Sequence, residues 1–199
     1  MDIQKYKQAL LQELYEPYRN CQACPLGKLG RKNIVFGEGN PNAKLMFIGE
    51  GPGQKEDELC RPFVGRSGQL LTKIMEAVGI QRSQVFITNI VKCRPPNNRN
   101  PLPNESETCT KLLLFKQIKI IRPKTICTLG SPATQAFLGK DAKITKVRGR
   151  TFSIVSDNFD KKKEILLLPT FHPAYCLRNF QKVEIFADDI KKAFKISKT

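Results

Sequence analysis

The sequence holds one histidine, His172, and no tryptophan. A single histidine excludes a His-rich metal site, so any metal must be held by other donors. Acidic residues are scarce: 18 Asp and Glu face 34 Lys and Arg, for a net charge of +16. An excess of that size favours a polyanionic partner, because each phosphate contact releases counterions. The blander reading is a Lys-rich surface that keeps the chain soluble. The charge is spread over Lys92/Arg94/Arg99, Lys146/Arg148/Arg150, Lys161–Lys163 and the tail from Lys191 to Lys198. No apolar run approaches the roughly 20 residues of a membrane span. The first ten residues carry Asp2, Lys5 and Lys7 and have no apolar core of a secretory signal. A cytoplasmic location with no membrane contact is therefore expected. Seven cysteines in a reducing compartment are poor disulfide candidates, and metal ligation is the better first reading.

There is no internal repeat or low-complexity linker. With 199 residues, 40% of them hydrophobic, the chain suits one domain with a real core. Four short apolar runs, at 43–49, 85–91, 124–130 and 164–171, lack clean alternation, as strands buried on both faces do. Helical spacing appears at 2–18, 68–78 and 183–194. Two further helix starts are predicted from caps, Asn104 with Glu107 and Ser131 with Pro132. This βαβ rhythm implies an α/β fold with a parallel sheet and helices on both faces. Ligands in such sheets sit beyond the carboxyl ends of the strands. The loops there are "GEGPGQKED", "TNIVKCRPP" and "PTFHPAYCLRN".

Cys21 and Cys24 form a C-x2-C in a polar loop, and Cys93 and Cys109 bracket a Pro/Asn-rich stretch. Four thiolates suit tetrahedral zinc or an iron–sulfur cluster, and spacing does not separate the two. Four unrelated thiols are the bland alternative. Cys127, in an apolar strand, reads as a core residue. The Gly-rich turn "GEGPG" after a strand can offer backbone N–H groups to a ligand, or be only a tight turn. His172, just past a strand end, can donate to a developing oxyanion or act as acid or base, or simply pack. Phe63, in a loop, is a satellite of the core or a stacking platform for a base. Asn89, mid-strand, is satisfied by backbone or reads the edge of a base.

"GEGPGQKED", "RPFVGRSGQLL", "TNIVKCRPPNNRNPLPNE" and "TFHPAYCLRN", in this order and with all four cysteines, closely resemble the family 4 uracil-DNA glycosylases, the iron–sulfur members of that superfamily. The resemblance spans roughly residues 20–195. It implies a three-layer αβα sandwich around a four-stranded parallel sheet, in one domain over 1–199. It also implies a [4Fe-4S] cluster held by Cys21, Cys24, Cys93 and Cys109, in a lobe made by the N-terminal loop and residues 92–109. The Pro/Asn loop would be stiff because the cluster replaces a hydrophobic core beneath it, leaving Lys92, Arg94 and Arg99 to face phosphates.

The implied activity is hydrolysis of the N-glycosidic bond of deoxyuridine in DNA, after the base leaves the stack. By the same resemblance Phe63 stacks on uracil, Asn89 reads its N3–H and O4, and the backbone of Glu50, Gly51 and Pro52 contacts base and water. His172 donates to uracil O2. The best-known branch of the superfamily has an Asp where this chain has Gly51, which leaves Glu50 as the nearest carboxylate for water. It has a Tyr where this chain has Gly53, and Glu56 is the candidate to fill that gap against a 5-methyl group. Leu177 is the expected wedge into the duplex and Arg178 a backbone contact. Cys60, Cys176 and Phe180 stand where other residues are usual in these motifs. The expected partner is uracil-containing DNA, with room for other repair or replication proteins, and the expected state is a monomer. Three other readings compete: a non-catalytic cluster-bearing accessory protein, a small electron-transfer protein, and a sister glycosylase with altered base choice.

Overall fold

The computed structural model describes residues 2–156 and 160–199. The side chains of the Lys161–Lys163 run lie outside the described residues. The strands are β1 (Glu38–Gly39), β2 (Leu45–Gly49), β3 (Phe86–Asn89), β4 (Thr125–Leu129), β5 (Phe152–Ser156) and β6 (Asp160–Thr170). They form one sheet in the order β1-β3-β2-β4-β6-β5. Strands β3, β2, β4 and β6 run parallel, while β1 and β5 pair antiparallel at the two edges. The sheet is therefore six-stranded and mixed rather than four-stranded, with the expected strands at its centre. Neither edge strand has the signal of the central four. β1 is two residues long, and β5 alternates half-buried Phe152 and Ile154 with exposed Ser153 and Val155.

The helices are α1 (Ile3–Tyr15), α2 (Gln54–Leu59), α3 (Arg66–Ala77), α4 (Pro103–Cys109), α5 (Phe115–Ile121), α6 (Ser131–Leu138), α7 (Ile144–Val147), α8 (Pro173–Arg178) and α9 (Val183–Lys198). Every position of β2, β3 and β4 is buried, including the polar Thr88, Asn89, Thr125 and Thr128. Successive side chains still serve opposite faces. Met46 and Ile48 pack with Leu11, Ile118 and Ala133 from α1, α5 and α6. Leu45 and Phe47 pack with Leu71, Met75, Phe186 and Ile190 from α3 and α9. Helices thus cover both faces. Each such fully buried side chain contributes on the order of 1.5–3 kcal/mol. No helix among the described residues is long and apolar enough to cross a membrane.

Several element ends differ from expectation, each for a local reason. The first helix stops at Tyr15 and tightens into a 3-10 turn over Glu16–Tyr18, because Pro17 has no N–H to continue it. The helix expected to be capped by Asn104 with Glu107 opens two residues earlier. Its first residue is Pro103, and Glu105 accepts from the Leu102 N–H at 2.7 Å. Pro103 is pre-set for that first position. Gly130, not Ser131, caps α6. A single π turn, Thr110–Leu114, joins α4 to α5 directly after Cys109.

Candidate active site

The carboxyl ends of the parallel strands open onto a cavity of about 510 Å³. Glu50, Gly51, Pro52 and Gly53 line it from the turn after β2, and His172 and Arg178 line it from the opposite wall. Pro95, Asn98 and Arg99, from the loop after β3, close the third side. Residues far apart in sequence are thus gathered where the topology predicts.

Phe63 and Asn89 meet behind this turn, and Gly49 is why they can. A β-carbon there would lie 2.3 Å from the Phe63 ring and 2.5 Å from Asn89 Oδ1. The Phe63 and His172 rings have centroids 5.9 Å apart, tilted by 38°. Asn89 is 1% exposed, and neither its Oδ1 nor its Nδ2 has a hydrogen-bond partner. A buried amide in that state costs about 1–3 kcal/mol per orphaned group, so it is retained against its own folding cost.

Phe63 adopts a left-handed backbone, φ 53°, and two charged side chains hold it there. Arg82 donates to the carbonyls of Pro62 (2.7 Å) and Phe63 (3.1 Å). Glu56 Oε1 accepts from the N–H groups of Val64 (2.9 Å) and Gly65 (2.7 Å). The other carboxylate oxygen, Oε2, lies 2.9 Å from where a Gly53 side chain would begin, so Glu56 occupies the gap that glycine leaves. Arg82 escaped sequence reading. Its partners Glu38, Pro62 and Phe63 lie on other segments, and nothing local marks it.

His172 caps α8. The Ala174 N–H donates to its Nδ1 at 3.1 Å, so the ring proton resides on Nε2. Its pKa is pushed down to about 4, first because an imidazolium would leave water and then because Arg178 repels it. The ring is therefore neutral near pH 7 and presents an N–H. Glu50, half-buried beside the cavity, has its carboxyl pKa raised by burial. Leu177 and Phe180 stand out on the same segment, 42% and 83% exposed.

The three cations expected to face phosphates do not do so together. Lys92 is fully buried, its ammonium bonded to Thr88, the Asn89 carbonyl and Gln117. Arg99 is clamped by the buried Glu105, with both distances at 2.8 Å. Arg94 donates to Asn98. In the sequence the charge of Lys92 suggested the surface, and nothing local marked its burial.

Cys21, Cys24, Cys93 and Cys109 line one small pocket with Ile34 and Leu113. Main-chain N–H groups already point at two of the sulfurs: Leu26 and Gly27 at Cys24, Lys92 at Cys109. Burial pushes the Cys93 thiol up to about 12 and Cys109 to about 11. Among the described residues, no three His, Cys, Asp or Glu side chains are grouped so as to hold one metal ion. Cys127 is core, as expected; Cys176 is buried and Cys60 exposed.

The profile of the uracil DNA glycosylase superfamily matches residues 36–196. A type-4 uracil-DNA glycosylase of Thermotoga maritima is 47% identical over 190 residues, 94% of each chain. One from Sulfurisphaera tokodaii is 45% identical over 194 residues, 95% of this chain and 86% of its own. A third, from Saccharolobus solfataricus, is 45% identical over 179 residues, 87% of this chain and 80% of its own. The chain belongs to the uracil DNA glycosylase superfamily, in its type-4 branch.

Proposed function

We propose that this chain removes uracil from DNA by hydrolysing the N-glycosidic bond of an extruded deoxyuridine. The observation that carries this reading is the orphaned amide of Asn89. Its acceptor and donor suit the N3–H and O4 of uracil, and a bound base would satisfy both at once. Cytosine offers an acceptor at N3 and a donor at the 4-position, so it meets the wrong groups. Each mispairing costs about 1–3 kcal/mol. Phe63 stacks on the base, and the backbone of Glu50, Gly51 and Pro52 borders it. The Glu56 carboxylate, filling the space beside Gly53, stands against a 5-methyl group and so against thymine.

In the reaction the C1′–N1 bond breaks and its electron pair passes into the uracil ring, toward O2. His172 Nε2–H donates to O2 as that charge grows. Neutral imidazole keeps its proton, so uracil leaves as an anion. A water oxygen forms the new bond to C1′ and loses a proton to Glu50 or to bulk water. Glu50 is the carboxylate at the cavity wall, and its raised pKa makes it the better base. Leu177 enters the duplex as the base leaves, Phe180 beside it offers a second apolar surface, and Arg178 contacts backbone.

Cys21, Cys24, Cys93 and Cys109 would hold a [4Fe-4S] cluster. The residues fit it: four sulfurs line one pocket, and N–H groups are aimed at two of them. When bound it supplies a structural tie between the N-terminal loop and residues 92–109, within one glycosylase domain. The deciding experiment uses a labelled duplex with one U opposite G, treated with hot alkali after incubation. Cleavage at U, with none in T-opposite-G or U-free controls, supports the reading. No cleavage from protein with full iron and sulfide overturns it.

A further inference from the structure

We propose that Lys92 is a positioning residue for uracil recognition, fixing the peptide that carries Asn89. This rests on the reading above. Lys92 is fully buried, and three acceptors surround its Nζ: Thr88 Oγ1 at 2.5 Å, the Asn89 carbonyl at 2.8 Å and Gln117 Oε1 at 2.7 Å. The cage closes on itself, since Thr88 Oγ1 and Gln117 Nε2 both donate to the Phe36 carbonyl, at 2.8 and 2.9 Å. Space-filling alone does not account for it. An apolar side chain of similar length would fill that volume without the cost of burying a polar amine.

What the cage holds is the backbone of a buried side chain whose own amide has no hydrogen-bond partner. Both amide atoms of Asn89 lack partners, so its orientation depends on the backbone beneath it. Two anchors fix that backbone at the strand end. The Ile90 N–H donates to the Gly49 carbonyl at 2.9 Å, and the Asn89 carbonyl accepts from Lys92. Lys92 is itself fixed from both sides: its carbonyl accepts from Val35 N–H at 2.8 Å and its N–H points at Cys109 sulfur. Releasing the Asn89 carbonyl lets the peptide turn and the amide miss the base edge. A misplacement of about 1 Å costs on the order of a hundredfold in rate.

The test is a double-mutant cycle with Lys92→Met and Asn89→Ala, read as single-turnover uracil release from the duplex with one U. Iron per chain is measured on each protein, so cluster loss is not mistaken for mispositioning. Wild type must release uracil first; failure there sinks the functional reading, before Lys92 is tested. Lys92→Met is expected to lower the single-turnover rate constant about ten- to a hundredfold with the KM for duplex unchanged. In the Asn89→Ala background it should lower it no further. Equal losses in both backgrounds, or an unchanged rate in Lys92→Met, overturn the proposal. If Lys92→Met does not fold, Gln117→Leu, which removes one arm of the cage, goes through the same cycle. A loss confined to the Asn89 background then supports the proposal, and equal losses or an unchanged rate overturn it.

Discussion

The Ala174 N–H donates to His172 Nδ1 at 3.1 Å, and that one bond decides what the ring can do. With Nδ1 occupied as acceptor, Nε2 must carry the proton and is left free to donate. The folded pKa, about 4, lies below the ordinary 6.5. His172 therefore contributes stability that is fully present above pH 6.5 and is lost as pH falls through 4, on the order of 2–3 kcal/mol. The uracil-release rate should show no inflection near pH 6.5 that His172→Gln abolishes. A His172-dependent fall in rate as pH rises through 6.5 would mean that the imidazolium, not neutral imidazole, is the working form.

Replacing the donor altogether tests its size. His172→Ala should lose about a hundred- to a thousandfold in single-turnover rate. Binding to the same duplex, measured by anisotropy, should be retained. Unchanged cleavage would remove His172 from the reaction.

Asn89 sets activity against stability. Its two amide atoms are buried without partners, so Asn89→Ala removes a folding penalty along with the proposed reader of the base. Uracil release should fall by about two orders of magnitude. Thermal stability should rise, by about 1 kcal/mol after the lost packing is discounted. A variant that is both slow and markedly less stable would mean Asn89 is satisfied in the free protein and plays a structural role.

The difference between the legible and the illegible parts of this chain is the range of the interactions. β2, the runs through β3 and β4, and the Ile165–Leu168 half of β6 are mostly apolar, so their burial shows in composition alone. The edge strands are exposed on one side and carry no such mark. Gly49 and His172 sit at strand ends, where topology places ligands, and short motifs pointed to them; Asn89, read as mid-strand, is instead the last residue of β3. Arg82 and Lys92 could not be read in the same way. Arg82 gains its role from Pro62 and Phe63, on the far side of α3 in the chain, and Lys92 from Gln117, 25 residues on. A lysine letter carries its charge but not the three acceptors that allow it to be buried. The same reasoning explains the misplaced α4 cap. Glu105 and Glu107 are equally good capping residues by type, and Pro103 decides between them.

The cysteine lobe yields a prediction about stability rather than catalysis. Cys93 and Cys109 are buried in the same core cluster as Leu113 and Ile118. On the proposed cluster set, Cys93→Ala should lose its brown absorbance and sharply lower the thermal midpoint, since a site absent from the unfolded chain turns metal-binding energy into folding energy. Full absorbance with normal iron content would take Cys93 off the ligand set.

Phe180 is 83% exposed and Leu177 42%, on a segment that also carries Arg178 and Lys182. A solvated phenylalanine forgoes about 1.5–3 kcal/mol of burial in the free protein, so its burial must come from a bound partner if it is to contribute. Duplex DNA opened at the extruded base supplies apolar base faces, and the flanking cations match its backbone. Base–aromatic stacking is worth about 1–3 kcal/mol. Leu177→Ala and Phe180→Ala should each slow uracil release from duplex about tenfold or more. Release from a single strand, where no gap needs filling, should change little. Equal losses on both substrates would place these side chains in general DNA affinity and leave base extrusion to other residues.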